Sequence, residues 1–155
     1  MKIYNDFNTS VMAAFSEIDP NWRKYKGVVL CGTHTPKEWE KQIKVIEKAR
    51  KDGTPLYGEC FGHQLVAIEY ARNIMGITQA TSEEFGKGVF VVKKLPKLNV
   101  GLKNGESFWN NYEVCIPLRS PENFFTTQSH PSYQSAKGNP NPLIISFLRY
   151  ARMVS

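Results

Sequence analysis

Gly58-Glu59-Cys60-Phe61-Gly62-His63-Gln64 is the stretch on which the reading of this chain turns. It has the form G-x-C-x-G. It lies between an apolar strand-like run, Pro55 to Glu59, and an apolar helical run from about His63 to Met75. The pattern is the cysteine counterpart of the G-x-S-x-G nucleophile elbow. In such an elbow the nucleophile occupies a strained turn and projects from the carboxyl end of a sheet. The flanking glycines let strand and helix approach closely. The helix N-terminus beneath the sulfur is expected to favour thiolate and lower the thiol pKa. The backbone N–H of Phe61 can donate to a developing oxyanion. The plainer alternative is that Cys60 is a small residue fitting a tight turn.

Outward from the elbow, strand-like and helical segments alternate, which argues for an α/β domain with a mainly parallel open sheet flanked by helices. Lys2 to Tyr4 reads as a short first strand and Phe7 to Glu17 as a helix, with Asn8 or Thr9 near its cap. Gly27 to Leu30 reads as a buried strand ending in the loop Cys31-Gly32-Thr33-His34. Pro36 is expected to open a helix reaching about Lys51. Trp39, Ile43, Ile46 and Ala49 keep helical spacing along it, and Asp52-Gly53 stops it. Gly76 is the expected stop of the helix after Cys60. Gly88 to Lys93, Tyr112 to Ile116 and Phe124 to Gln128 are strand candidates, and Pro142 to Met153 is a closing helix.

The 155 residues suit one domain, residues 1–155, and 41% hydrophobic residues supply a core. No apolar run approaches the roughly 20 residues of a membrane span. Met1 to Ser10 lack a signal peptide's apolar core, so a cytoplasmic location is the expectation. Cys31, Cys60 and Cys115 are the three cysteines, with no CxxC pair. Neither a disulfide framework nor a zinc site is expected, and no cofactor is. The net charge is +6, but the lysines are scattered. A solvated surface explains them more simply than an acidic partner, and nucleic acid is not expected.

The flanking residues carry a more specific signal. Residues 58–76, GECFGHQLVAIEYARNIMG, resemble the nucleophile segment of class I glutamine amidotransferase domains of the CTP synthase type, which carry G-I-C-L-G-M-Q and then A-V-I-E-F-A-R-N-V-x-G. Ala80-Thr81-Ser82-Glu83-Glu84-Phe85 is similar to that family's A-N-S-T-E-F. Ser129-His130-Pro131-Ser132-Tyr133-Gln134-Ser135 is similar to F-H-P-E-F-x-S, and Gly138 to Leu143 to G-x-P-S-P-L. Tyr112-Glu113-Val114 matches Y-E-V, and the strand 27–30 with Gly32 stands where the family has a P-G-G-F-G loop.

The resemblance implies a flavodoxin-like fold and a glutaminase chemistry. Cys60 is then the nucleophile and His130 the base. The backbone N–H groups of Phe61 and the Gly32 loop are the oxyanion donors. Gln64 and Glu84 hold the amino-acid end of the substrate; a carboxylate suits an α-ammonium group. For Glu84 the competing reading is a loop surface carboxylate, and for Gln64 a helix-surface residue. His34 and His63 compete with His130, but His130 follows a strand at the sheet's carboxyl end, where ligands bind in open α/β sheets.

Three positions depart from the family pattern. Its H-P-E becomes His130-Pro131-Ser132, so the triad carboxylate is missing, and Ser132, a water or another acid would orient the imidazole. The basic stretch before Y-E-V reads Trp109-Asn110-Asn111, which removes the arginine used for the glutamine carboxylate. Glu59 replaces an apolar residue directly before the nucleophile. As a strand residue it should point away from Cys60, either buried and paired or part of a rearranged site, which makes it a candidate acid. The expected function is amide hydrolysis, of glutamine or another γ-glutamyl compound, through a Cys60–His130 dyad. A separate synthase subunit would use the ammonia, and a homo-oligomer is also open. The alternative is a catalytically degenerate amidotransferase fold acting as a binding or regulatory module. A redox-sensing cysteine domain shares the elbow but does not explain the block after Ser129.

Overall fold

The computed structural model describes residues 1–103, 106–133, 135 and 138–155, and of residues 96–103 and 106–111 the backbone only. Its elements are β1 (Lys2–Tyr4), α1 (Thr9–Ile18), β2 (Val28–Leu30), α2 (Trp39–Asp52), β3 (Leu56–Glu59), α3 (Phe61–Asn73), β4 (Ala80–Ser82), β5 (Val89–Lys103), β6 (Glu106–Val114), β7 (Phe124–Thr127) and α4 (Pro142–Met153).

The main sheet has the order β1-β2-β3-β7, with every neighbour parallel. Both of its faces are covered, which is why its strands read as continuous apolar runs. Side chains alternate across a strand. Val28, Leu30 and Leu56 therefore pack with Ile43 and Ile46 of α2 and Leu65 and Ile68 of α3. Val29 and Tyr57 pack on the other face, with Val11 and Phe15 of α1 and Ile144 and Phe147 of α4. Phe15 meets Trp22 edge to face at 5.3 Å and Tyr57 at 5.4 Å, a preferred aromatic geometry.

A second sheet, β4-β5-β6, pairs β4 and β5 parallel and β5 and β6 antiparallel. It corrects the short strands expected at Gly88–Lys93 and Tyr112–Ile116. Pro96 and a run of lysines disguise β5, and Pro96 falls in the register shift between Lys94 and Asn99, where its missing N–H costs no ladder bond.

Three helix starts also differ from expectation; the first helix begins at Thr9, not Phe7, with Asn8 before it as the cap residue. The second helix begins at Trp39, not Pro36, because Glu38 turns left-handed (φ 50°) and Trp39 packs on the ring of Phe85 at 4.9 Å. The helix after the elbow begins at Phe61 and ends at Asn73. Beyond it Gly76, at φ 75°, lets the N–H of Ile77 return to the carbonyl of Ala71. Among the described residues no helix is long and apolar enough to cross a membrane.

Candidate active site

Cys60 joins β3 to α3 with φ 52° and ψ −107°, a conformation that non-glycine residues avoid. Its surroundings hold it there. The Cys60 N–H donates to the Thr127 carbonyl at 2.9 Å, and the Gln64 N–H donates to the Cys60 carbonyl at 3.1 Å. The glycines have the expected role. A Cβ at Gly62 would lie 2.2 Å from the Leu30 carbonyl oxygen, and one at Gly58 would lie 3.2 Å from the carbonyl carbon of Gly62.

The thiol does not have the lowered pKa expected from the helix start. Burial, with the charge of Glu84 and more weakly that of Glu59, pushes it up to about 12, against a smaller opposing pull from the Phe61 N–H. Desolvation and nearby carboxylates outweigh the helix N-terminus. Cys60 is thus a neutral thiol at rest that needs a base. The Gln128 amide nitrogen, a group the sequence reading missed, approaches its sulfur at 3.6 Å.

His130 lies beyond the end of β7, whose pairing with β3 sets Thr127 opposite Glu59. It is 4% exposed, and its ring stacks on Tyr133 at 4.7 Å and 7°. The Gly32 loop lies against both the imidazole and the cysteine: a Cβ at Gly32 would meet His130 Cε1 at 3.1 Å and Cys60 Cβ at 3.6 Å. The Gly32 carbonyl accepts from the Phe7 N–H, and Asn5 donates to the carbonyl of Cys31, so the loop is fastened to the segment after β1.

Glu59 is buried and paired, pointing to the face of β3 opposite α2 and α3. Its carboxylate accepts from the Tyr57 hydroxyl at 2.5 Å and from the backbone N–H and hydroxyl of Ser132, both at 2.9 Å. Glu59 Oε2 also stands 3.7 Å from His130 Nδ1. Ser132 faces Glu59 and Ser10 with its hydroxyl. Tyr57 could have been found from the period of two along the strand, which sets it on the face of Glu59.

Gln64 is fully buried, which corrects the helix-surface alternative. Its carbonyl accepts from Ser82 Oγ at 2.9 Å, and its amide donates to Glu84 Oε2 at 2.8 Å. Glu84 is half-buried and its carboxyl is raised by that burial, against the Gln64 bond and the charge of His34. Burial and the charges of Glu84 and Glu83 raise the Tyr112 phenol. His34 is exposed and meets Phe7 edge to face at 4.8 Å. His63 bonds Thr126 Oγ1 at 3.0 Å, and burial pushes it down to about 4, so it is neutral. The side chains of Trp109, Asn110 and Asn111, and residue Gln134, lie outside the described residues. Among the described residues no group of three or more His, Cys, Asp and Glu could hold a metal ion.

Residues 4–130 match the family model described as "Glutamine amidotransferase class-I". A CTP synthase of Methanosphaerula palustris is 30% identical over 130 residues, which are 83% of this chain and 25% of that protein. A CTP synthase of Methanoregula boonei is 41% identical over 75 residues, 48% of this chain and 14% of that protein. The chain therefore matches a quarter or less of the length of these curated relatives. The solved structure described as "Trypanosoma brucei CTPS - glutaminase domain with bound acivicin" superposes with a TM-score of 0.78 at 18% identity, over 98% of this chain and 92% of that one. That likeness establishes the fold.

Proposed function

Because this chain belongs to the class I glutamine amidotransferase family, we propose that it acts as one domain, residues 1–155, that hydrolyses the side-chain amide of glutamine or a related γ-glutamyl compound through Cys60 and His130. The observation that carries the reading is the strained, positive-φ Cys60 elbow with a buried histidine at the neighbouring strand's exit. The route follows from the groups present. His130 takes the thiol proton as the sulfur attacks the amide carbonyl, and the Phe61 N–H and the Gly32 loop receive the oxyanion. The C–N bond then breaks, the imidazolium gives its proton to the leaving ammonia, and a thioester remains. Water, deprotonated by the imidazole, cleaves the thioester to glutamate and restores the thiol. Glu84, held by Gln64 and Ser82, receives the substrate ammonium. The ammonia passes to a synthase domain or partner, by analogy with the CTP synthases.

The test is release of ammonia and glutamate from glutamine. Wild type should turn over, and Cys60→Ala and His130→Ala should each lose roughly a thousandfold or more. Absence of release from folded wild-type protein, with γ-glutamyl amides also tried, overturns the reading. Ser132 and Trp109-Asn110-Asn111, standing where the family has its carboxylate and arginine, favour a second reading, a binding or regulatory module without turnover. Covalent labelling of Cys60 by a diazo-oxo-norleucine counts against that second reading.

A further inference from the structure

We propose that Glu59 is the positioning carboxylate for His130, supplied from the strand end beside the nucleophile instead of from the segment that carries the histidine. This rests on the Cys60–His130 reading above and says how that site works without a carboxylate at position 132.

Four observations converge on it. Glu59 Oε2 stands 3.7 Å from Nδ1 of a histidine that is 4% exposed. With Nδ1 turned toward the carboxylate, Nε2 is the nitrogen left to serve the thiol. The carboxylate itself is 1% exposed, so water screens its charge little. It cannot swing away, because Tyr57, the Ser132 N–H and the Ser132 hydroxyl all donate to it. Ser132, the residue where the H-P-E pattern would put an acid, is the one that grips Glu59 twice. The small serine leaves room for the incoming carboxylate, and a glutamate there would set two carboxylates in one buried space. The two departures, acid gained at 59 and acid absent at 132, are thus one compensated exchange.

The chemistry gives the carboxylate a task. The Cys60 thiol is neutral at rest, so the imidazole must accept its proton and become charged in a buried site. A fixed carboxylate 3.7 Å from Nδ1 attracts the positive charge that forms on the ring and favours a proton on Nδ1, leaving Nε2 free to accept. Tyr57 and Ser132 hold that carboxylate in place. Ser132 therefore acts on the histidine through Glu59.

Glu59→Gln tests the role with little change of shape. Its amide oxygen can keep the bonds from Tyr57 and the Ser132 N–H, and its NH₂ can donate to Ser132 Oγ, which has Ser10 as a second partner. The same NH₂ facing Nδ1 favours the wrong tautomer. The expected result is a fall in kcat of roughly 10²–10⁴-fold with KM within about threefold. A purely structural Glu59 would not give that split. The exchange variant Glu59→Val/Ser132→Glu should recover at least about tenfold over Glu59→Val, which serves as the reference if the single variants lose stability. A second readout needs no turnover: Cys60 alkylation by iodoacetamide at neutral pH, followed at the Cys60 peptide so that exposed Cys115 does not contribute. It should slow roughly tenfold or more in Glu59→Gln, as a weaker base would make it. A folded Glu59→Gln protein with wild-type alkylation overturns the proposal. So does wild-type kcat. If wild type fails to hydrolyse glutamine, the functional reading falls, while the alkylation rate still decides the role of Glu59.

Discussion

Gly62→Ala should displace the elbow from the sheet while leaving the protein folded. A Cβ at position 62 would meet the Leu30 carbonyl oxygen at 2.2 Å, Leu30 Cβ at 2.6 Å and the Leu30 carbonyl carbon at 2.9 Å. These atoms belong to the backbone and stem of β2, so no rotamer change relieves the clash. β2 is held between β1 and β3, so α3 is the part that must move. Reaching an ordinary contact of about 3.5 Å asks for a shift of roughly 1 Å. Overpacking of this kind costs about 1–3 kcal/mol, against about 5–15 kcal/mol for a whole domain. Most molecules therefore stay folded. The same shift carries Cys60 away from His130, which is anchored on β7, and a misplacement of about 1 Å can cost on the order of 10²-fold in rate. Urea unfolding measures the first quantity and ammonia release the second. Gly53→Ala is the control: its Cβ meets nothing within 4 Å, so it bears only the left-handed backbone cost of about 1–2 kcal/mol and should keep full activity. A Gly62→Ala protein with wild-type stability and wild-type rate would refute the close-approach explanation of the elbow.

Glu84→Gln should raise KM by roughly 10- to 100-fold, the value of a lost charge-assisted bond, with a smaller change in kcat; steady-state kinetics with glutamine decides it. His63, held neutral with a folded pKa of about 4 against an ordinary 6.5, stabilises the fold above pH 6.5, and that stability drains away as pH falls through 6.5 toward 4. His63→Gln, which can keep the bond to Thr126, should flatten the acid limb of the unfolding midpoint against pH. Arg50→Met should cost about 3–5 kcal/mol in urea melts, because it strands Glu69, buried beneath the forked Arg50 bonds. Arg50→Met/Glu69→Met should recover most of that loss.

What is local in this protein was legible in its sequence. Apolar runs of strand length, helical spacing from Trp39 to Ala49, and glycines around Cys60 specify the main sheet, its helices and the turn, because side-chain periodicity and glycine sterics act within a few residues. The hairpin of β5 and β6 was less visible, since its lysines, Pro96 and polar residues find strand pairing only through each other. The family resemblance also pointed to Cys60, His130, Gln64 and Glu84 as one candidate site. Only the tertiary structure decided their burial and their partners. The helix start suggested an acidic thiol, but burial and the carboxylate of Glu84, twenty-four residues along the chain, set the opposite direction. Glu59 and Ser132, 73 residues apart, looked like two separate defects. The parallel register of β3 and β7 brings them to one place, because hydrogen-bonded strands fix distant residues side by side in a way that no local pattern encodes.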